Sequence, residues 1–323
     1  MALITSVVKS CYNLQMKAMI LAAGEGTRLR PLTASLPKPM VPIVGTPLLE
    51  RTLTWLSGEG VTEAAINLYH RPQSIPDYFG PEFNGVRLHY FFEDVLKGTA
   101  GGVKSAQSVL QDAPFFVIYG DNLISADLRR LAAFHAEHAG IGTVALFEHP
   151  NPSAAGIVGL DANSQITRFV EKPPADEIFS TLANAGVYVL DPAIFGSIPD
   201  NAPSDFGRDV FPALLAQDVP LYGTPLGGYL SDTGTPAAYR QASFDCLAGR
   251  TGIRFADPAL WLAPSASVGR GVTFHGQNVV GDGVEIGDGA SVTGSILLTG
   301  ARLTAGARIE NSVTGDGFLW DTL

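Results

Sequence analysis

The stretch "KAMILAAGEGTRLRPLTASLPKP", residues 17–39, joins an apolar run to two glycines and a group of cations. Ala18–Ala22 has the texture of a short strand buried on both faces. Gly24 and Gly26 let the backbone bend sharply and approach a ligand without a Cβ in the way. The N–H groups beyond such a bend can point at phosphate oxygens. Arg28, Arg30 and Lys38 follow, in a chain whose formal net charge is −10. An acidic protein that binds an anion must build a local positive pocket, which makes this cluster informative. A bare G-x-G also fits an ordinary structural turn. Two familiar phosphate motifs are absent: the residue three beyond Gly26 is Leu29, and no G-x-x-x-x-G-K-[ST] occurs.

Outward from this turn, strand-like and helix-like segments alternate. "EAAINL", "VRLHYFF" and "PFFVIYGD" read as strands, and "TPLLERTLTWLSGEG", "TAGGVKSAQSVL" and "LRRLAAFHAEHAG" as helices. Such alternation predicts an α/β, Rossmann-like mixed sheet, mostly parallel, flanked by helices. Ligand sites in these sheets lie beyond the carboxyl ends of the strands, where both the glycine turn and Asp121 fall. After Pro150 the order becomes strand-rich, with "GIVGLD", "ITRFVEK" and "NAGVYVL".

From about residue 256 a new period begins. Leu262, Val268, Phe274, Val280, Ile286 and Val292 recur every six residues, and after one five-residue step the series resumes at Leu297, Leu303 and Ile309. This pattern predicts a parallel β-helix of hexapeptide repeats wound around a narrow apolar core. The expected divisions are a disordered or artefactual extension over 1–15, an α/β domain over 16–250 and the β-helix over 256–323.

Composition removes several function classes. The acidic balance argues against nucleic-acid binding, which relies on basic patches. Cys11 and Cys246 are the only cysteines, so neither a disulfide framework nor a zinc site is expected, and a reducing cytoplasm is the default. No apolar run reaches the ~18 residues of a membrane span. Residues 1–15 lack the basic and apolar regions of a secretory signal. His135 and His138 share a helix face and read as a solvated pair.

The segments "LAAGEGTRLRPLT" and "PKPMVPI" together resemble the signature of sugar-1-phosphate nucleotidylyltransferases, the NDP-sugar pyrophosphorylases. "GTAGG", "NPSAAGIVG", "RFVEKP", "NAGVYVL", "DVFP" and "GGYLSDTGTPAAYRQA" are similar to the mannose-1-phosphate guanylyltransferase branch, in the expected order over about residues 17–245. That branch also carries a carboxy-terminal left-handed β-helix. The resemblance implies an enzyme that joins a nucleoside triphosphate to a sugar 1-phosphate and releases pyrophosphate. GTP with mannose 1-phosphate is the expected pair. The alternatives are UTP or dTTP with glucose 1-phosphate, and a non-catalytic NDP-sugar-binding regulatory homologue. Acyl transfer by the β-helix is disfavoured, since only His275 is available there. Subunit contacts through that domain imply a homo-oligomer.

The resemblance also implies a set of site residues. Leu21, Ala23, Gly24, Gly26 and Thr27 are expected along the nucleotide, with Gly98 and Thr99 near the base. Arg28 presents a planar fork to phosphates, and Lys38 a flexible point charge; Arg30 reads as a surface or structural residue. Asp121 closes a buried strand, where a carboxylate either caps the next helix or holds a cation. With Asp232 of "YLSDTGTP" it is the expected Mg²⁺ pair, two carboxylates being enough for that ion. Thr233 stands where family members commonly have Ile. Lys172 of "VEKPP" is the expected clamp on the sugar 1-phosphate, with Glu171, Gly156 and Asn184 around the sugar. Glu93 is a further base-pocket candidate.

Overall fold

A computed structural model describes residues 16–200 and 202–322. The expected extension over 1–15, Cys11 included, lies outside the described residues. The chain forms two compact units that cut across the linear divisions. Among the described residues, the first comprises 16–24, 53–120, 126–200 and 202–228; the second comprises 25–52, 121–125 and 229–322.

The first unit is built on one mixed sheet. Its main strands are β1 Lys17–Leu21, β2 Glu63–Leu68, β3 Val86–Phe92, β4 Phe115–Tyr119, β5 Gly142–Glu148, β6 Gly156–Leu160, β7 Ile166–Glu171, β8 Leu182–Leu190 and β9 Leu221–Pro225, with the short Glu82–Phe83 at the edge beside β3. The order is β7-β6-β8-β4-β1-β2-β3, with β5 pairing both β8 and β9. The centre is parallel, through β4-β1-β2-β3, whereas β8 runs antiparallel to β4 and β5. Parallel strands must be apolar on both faces, and the interiors of β1, β2 and β4 are accordingly buried. Helix α1, Gly98–Ser105, fits closely because its glycines bring backbone to backbone, and α2, Leu128–Glu137, is capped by Asp127 accepting from Arg130 N–H at 3.0 Å. Met19, Val117, Tyr188, Phe206 and Phe211 lie in the shared core.

The second unit has its own core. The strand Tyr229–Asp232 pairs antiparallel with Asn122–Ser125, and helix α3, Pro236–Leu247, follows under a Thr235 cap. After residue 260, short strands form three parallel ladders. One contains Leu260–Leu262, Asn278–Val280, Ile296–Leu297 and Ser312–Gly315; the others stack Ser267–Val268, Glu285–Ile286 and Arg302–Leu303, and Thr273–His275, Ser291–Thr293 and Arg308–Glu310. Partners in the first ladder are Leu260 with Asn278, then Val279 with Ile296, so the spacing drops from eighteen residues to seventeen across the interval in which the six-residue series takes its five-residue step. Val280, Ile286, Val292 and Leu297 fill the interior of the stack. The alternate residues Val279, Ile296 and Val313 face outward into a second core with Tyr239, Ala242 and Ile43. No helix among the described residues is long and apolar enough to cross a membrane.

Candidate active site

Four charged side chains predicted from the sequence meet in the second unit. Gly26 is left-handed, with φ 61° and ψ 31°, and a Cβ there would lie 3.0 Å from Lys38 Cβ and 3.1 Å from Thr33 Cγ2. The Thr33 hydroxyl donates to Gly26 O at 2.8 Å and closes the bend. The turn Thr27–Leu29 then buries Leu29 and leaves Arg28 exposed; Arg30 is exposed as well. Pro37 and Pro39 flank Lys38, whose residue is only 4% exposed. Its ammonium lies 2.8 Å from Asp121 Oδ2 and 3.2 Å from Asp232 Oδ1. Arg28 Nη2 lies 3.7 Å from Asp232 Oδ2.

Strand pairing explains why the two aspartates converge. Asp232 sits opposite Asn122, the residue after Asp121, at the end of the two-stranded ribbon. Asp121 is followed by a strand, which removes the helix-cap reading. Thr233 is buried and donates to Asp121 O at 3.0 Å, a bond that isoleucine could not make. At Gly234 a Cβ would lie 2.4 Å from Arg28 Nη2, so only glycine leaves the guanidinium its place.

The Lys38 ammonium already occupies the space between two carboxylates, so the position suits a cation. Among the described residues no group of three or more His, Cys, Asp or Glu side chains is gathered. Two carboxylates with the remaining ligands drawn from phosphates and water is the pattern that Mg²⁺ favours, and the donors fit it.

The other predicted residues lie in the first unit. The Ala22 N–H donates to Asn67 Oδ1 at 2.8 Å, Asn67 Nδ2 donates to Glu93 Oε1 at 2.8 Å, and Lys97 N–H donates to Glu93 Oε2 at 3.0 Å. Both Glu93 oxygens are thus committed to tying the segment after β1 to the one before α1. Leu21 and Ala23 flank this anchor, and Gly24 is exposed beyond it. Gly98 has φ 75°, and a Cβ there would strike Ser204 O at 2.4 Å. The Thr99 hydroxyl donates to Asp205 Oδ2 at 2.9 Å and accepts from Phe206 N–H at 2.9 Å.

Glu171 ends β7, and its Oε2 would stand 2.5 Å and 2.9 Å from Cβ atoms placed on Gly156 and Gly207; both glycines keep this carboxylate housed. Burial lifts the Glu171 carboxyl above its ordinary value, while Lys172 opposes the shift and Asp205 adds to it. Lys172 is exposed at φ 50°, with its N–H donating to Ala155 O at 3.1 Å. Asn184 Nδ2 donates to Tyr188 Oη at 2.8 Å, and Tyr188 Oη to Tyr119 Oη at 3.0 Å. Burial raises both phenols above their ordinary range. Asp205, Asn67 and the two tyrosines escaped the sequence reading. Only Asn67 left a signal, a lone amide in an otherwise apolar strand.

The sequence model described as "Nucleotidyl transferase" matches residues 17–249. The chain is 37% identical over 242 residues to a UTP–glucose-1-phosphate uridylyltransferase of Synechocystis sp., covering 70% of this chain and 62% of that protein. It is 34% identical over 280 residues to a mannose-1-phosphate guanylyltransferase of Mycobacterium tuberculosis, covering 84% of this chain and 77% of that one. It therefore spans under two thirds of the Synechocystis relative's length. A solved UDP-glucose pyrophosphorylase complexed with UDP-glucose is similar at TM-score 0.62 and 26% identity, over 71% of this chain and 97% of the other. The match spans most of the sequence, from the strand before the glycine bend to the end of α3, and the chain belongs to the nucleotidyl transferase family.

Proposed function

We propose that the protein transfers a nucleotidyl group from a nucleoside triphosphate to a sugar 1-phosphate, with GTP and mannose 1-phosphate as the preferred pair. The observation that carries this reading is the Lys38 ammonium held between Asp121 and Asp232 with Arg28 beside them. A triphosphate and a sugar phosphate together bring about six negative charges, and nucleotidyl transfer depends mainly on positioning and neutralising them.

An oxygen of the sugar 1-phosphate attacks the α-phosphorus in line. The bond from that phosphorus to the bridging oxygen breaks, and pyrophosphate leaves with the electron pair. Arg28 offers two parallel N–H donors to the departing phosphates. Lys38 swings from its aspartates to phosphate oxygen, and the N–H groups beyond Gly24 and Gly26 line the same anion. Lys172 binds the sugar phosphate, and Glu171 accepts from sugar hydroxyls. The attacking phosphate is already ionised near neutral pH, so no side chain has to act as a base. Asp121 and Asp232 would hold Mg²⁺, which supplies further charge neutralisation at the phosphates when bound.

The six-residue period and three ladders support reading the C-terminal stack as a left-handed β-helix, with a role in homo-oligomer contacts. A second substrate pair, UTP with glucose 1-phosphate, is favoured by the 37% identity to the Synechocystis uridylyltransferase. A matrix of four nucleoside triphosphates against several sugar 1-phosphates, read by pyrophosphate release, decides. GTP with mannose 1-phosphate is expected to give the highest kcat/KM. A higher value for UTP with glucose 1-phosphate selects the second pair, and no release from any pair sinks the proposal.

A further inference from the structure

We infer that Trp261 is a positioning residue for Lys38, and that the C-terminal stack thereby forms part of the phosphate site; the inference rests on the triphosphate role proposed for Lys38. Lys38 opens a tight turn, Lys38–Met40, that runs directly into a hairpin of Pro42–Ile43 and Thr46–Pro47. The hairpin turns on Val44 at φ 47° and Gly45 at φ 75°. Positive φ at both central residues suits the twist of a two-residue hairpin, but a β-branched valine resists it. The bend must be held by its neighbours.

Those neighbours are specific. Arg51 donates to Ile43 O at 2.9 Å from Nε and to Val44 O at 3.2 Å from Nη2. The buried Tyr239 of α3 donates its hydroxyl to Pro42 O. The indole of Trp261 lies flush against Gly45: a Cβ there would sit 2.1 Å from Cη2 and 2.4 Å from Cζ2. Trp261 pairs in register with Val279, so it ends the outward row of the first ladder, whereas its neighbour Leu262 pairs with Val280 of the interior row. Ile43, Val44 and Leu48 belong to the core that Trp261 packs against. The stack also grips the other arm of the site. Arg240 on α3, eight residues past Asp232, donates to Gly294 O at 2.6 Å and Asn311 Oδ1 at 2.7 Å, on successive coils. The hairpin after Lys38 and the helix after Asp232 therefore stand on one ledge. A long, flexible lysine finds its phosphate only if its backbone is fixed, and Trp261 closes the hairpin tip at Gly45, where the ring packs directly on the backbone.

The test uses the full chain with Trp261→Ala, Trp261→Leu and Trp261→Phe, and as a control Leu319→Ser, an exposed position on the strand Phe318–Asp321 that pairs antiparallel with Ser312–Gly315 of the first ladder. Hydrogen exchange at residues 43–48 is expected to quicken about tenfold or more in the alanine and leucine variants, with Val280 and Leu297 amides still protected. The KM for the nucleoside triphosphate rises about tenfold while kcat and the sugar-phosphate KM stay within about twofold. Trp261→Phe, which keeps a ring over Gly45, restores most of both, and Leu319→Ser changes neither. Leucine keeps the apolar row of the stack but cannot reach Gly45, so it decides the matter if the alanine variant loosens the stack. Wild-type exchange at residues 43–48 in Trp261→Leu overturns the inference. Exchange is read without turnover: a wild type that releases no pyrophosphate from any pair sinks the transfer proposal and leaves the exchange result to judge Trp261.

Discussion

Replacing Lys38 with methionine removes a buried cation from between two carboxylates. Its contacts of 2.8 Å and 3.2 Å each represent roughly 5–6 kcal/mol of gross attraction at an effective dielectric of ~20. The Asp121 and Asp232 side chains are 40% and 57% exposed, so solvent screens most of this. A net coupling of about 1–2 kcal/mol remains, above the range of fully exposed pairs because the ammonium itself is buried. A divalent ion entering between the aspartates must displace the ammonium and forfeits that coupling. Lys38→Met is therefore expected to bind Mn²⁺ about 5- to 30-fold more tightly than wild type when no nucleotide is present. Titration followed by the electron paramagnetic resonance of free Mn²⁺ reads this directly. Adding Asp232→Asn to the methionine variant is expected to abolish the gain. Mn²⁺ binding in Lys38→Met that is no tighter than in wild type refutes the reasoning, and with it the placement of an ion between these aspartates. The same variant should need more nucleotide for turnover, since the cation that competes with the metal also serves the phosphates.

Gly234→Ala places a methyl 2.4 Å from Arg28 Nη2, the end of a flexible side chain; thermal stability should hardly change while kcat/KM falls about tenfold or more, read by pyrophosphate release. Gly186→Ala forces φ 68° on alanine and sets a methyl 2.7 Å from Tyr119 Cγ, a combined cost of about 2–5 kcal/mol in urea unfolding. Glu171 has a folded pKa raised above 4.5 by burial, so the native state keeps its proton longer than the unfolded chain does. Stability contributed by this group therefore falls as pH rises from about 4.5 through the raised value, and Glu171→Gln should flatten that part of the urea-derived stability profile. An unchanged slope would show that the carboxyl is not buried as described.

The charged members of the site were legible because their chemistry stands out against their surroundings. Arg28 and Lys38 are cations beside a glycine bend in an acidic chain, and Asp121 is a carboxylate closing an apolar strand. The coil period was legible down to the shortened step before Leu297, since burial imposes it on Val280, Ile286, Val292, Leu297 and Ile309, although Leu262 and Val268 at the start of the series are exposed. The hairpin at residues 42–47 was not. Two prolines and a valine at positive φ contradict local propensity, and only packing from Arg51, Tyr239 and Trp261 reconciles them. Asp205 was hard to read for a related reason. Its Oδ2 accepts from the Thr99 hydroxyl, far away in sequence, and no local motif marks that pairing. Gly207, unlike Gly156, became meaningful only with Glu171 lodged against both glycines.

The ribbon joining residues 122–125 to 229–232 has one more implication. Side chains along a pleated strand alternate sides, so deleting a single residue from either strand would turn Asp232 away from the lysine altogether. Deleting two would restore its direction but displace it by about 7 Å. The spacing of the aspartates thus cannot drift by small increments. Length changes have to fall outside this ribbon, in the segments that lead to it.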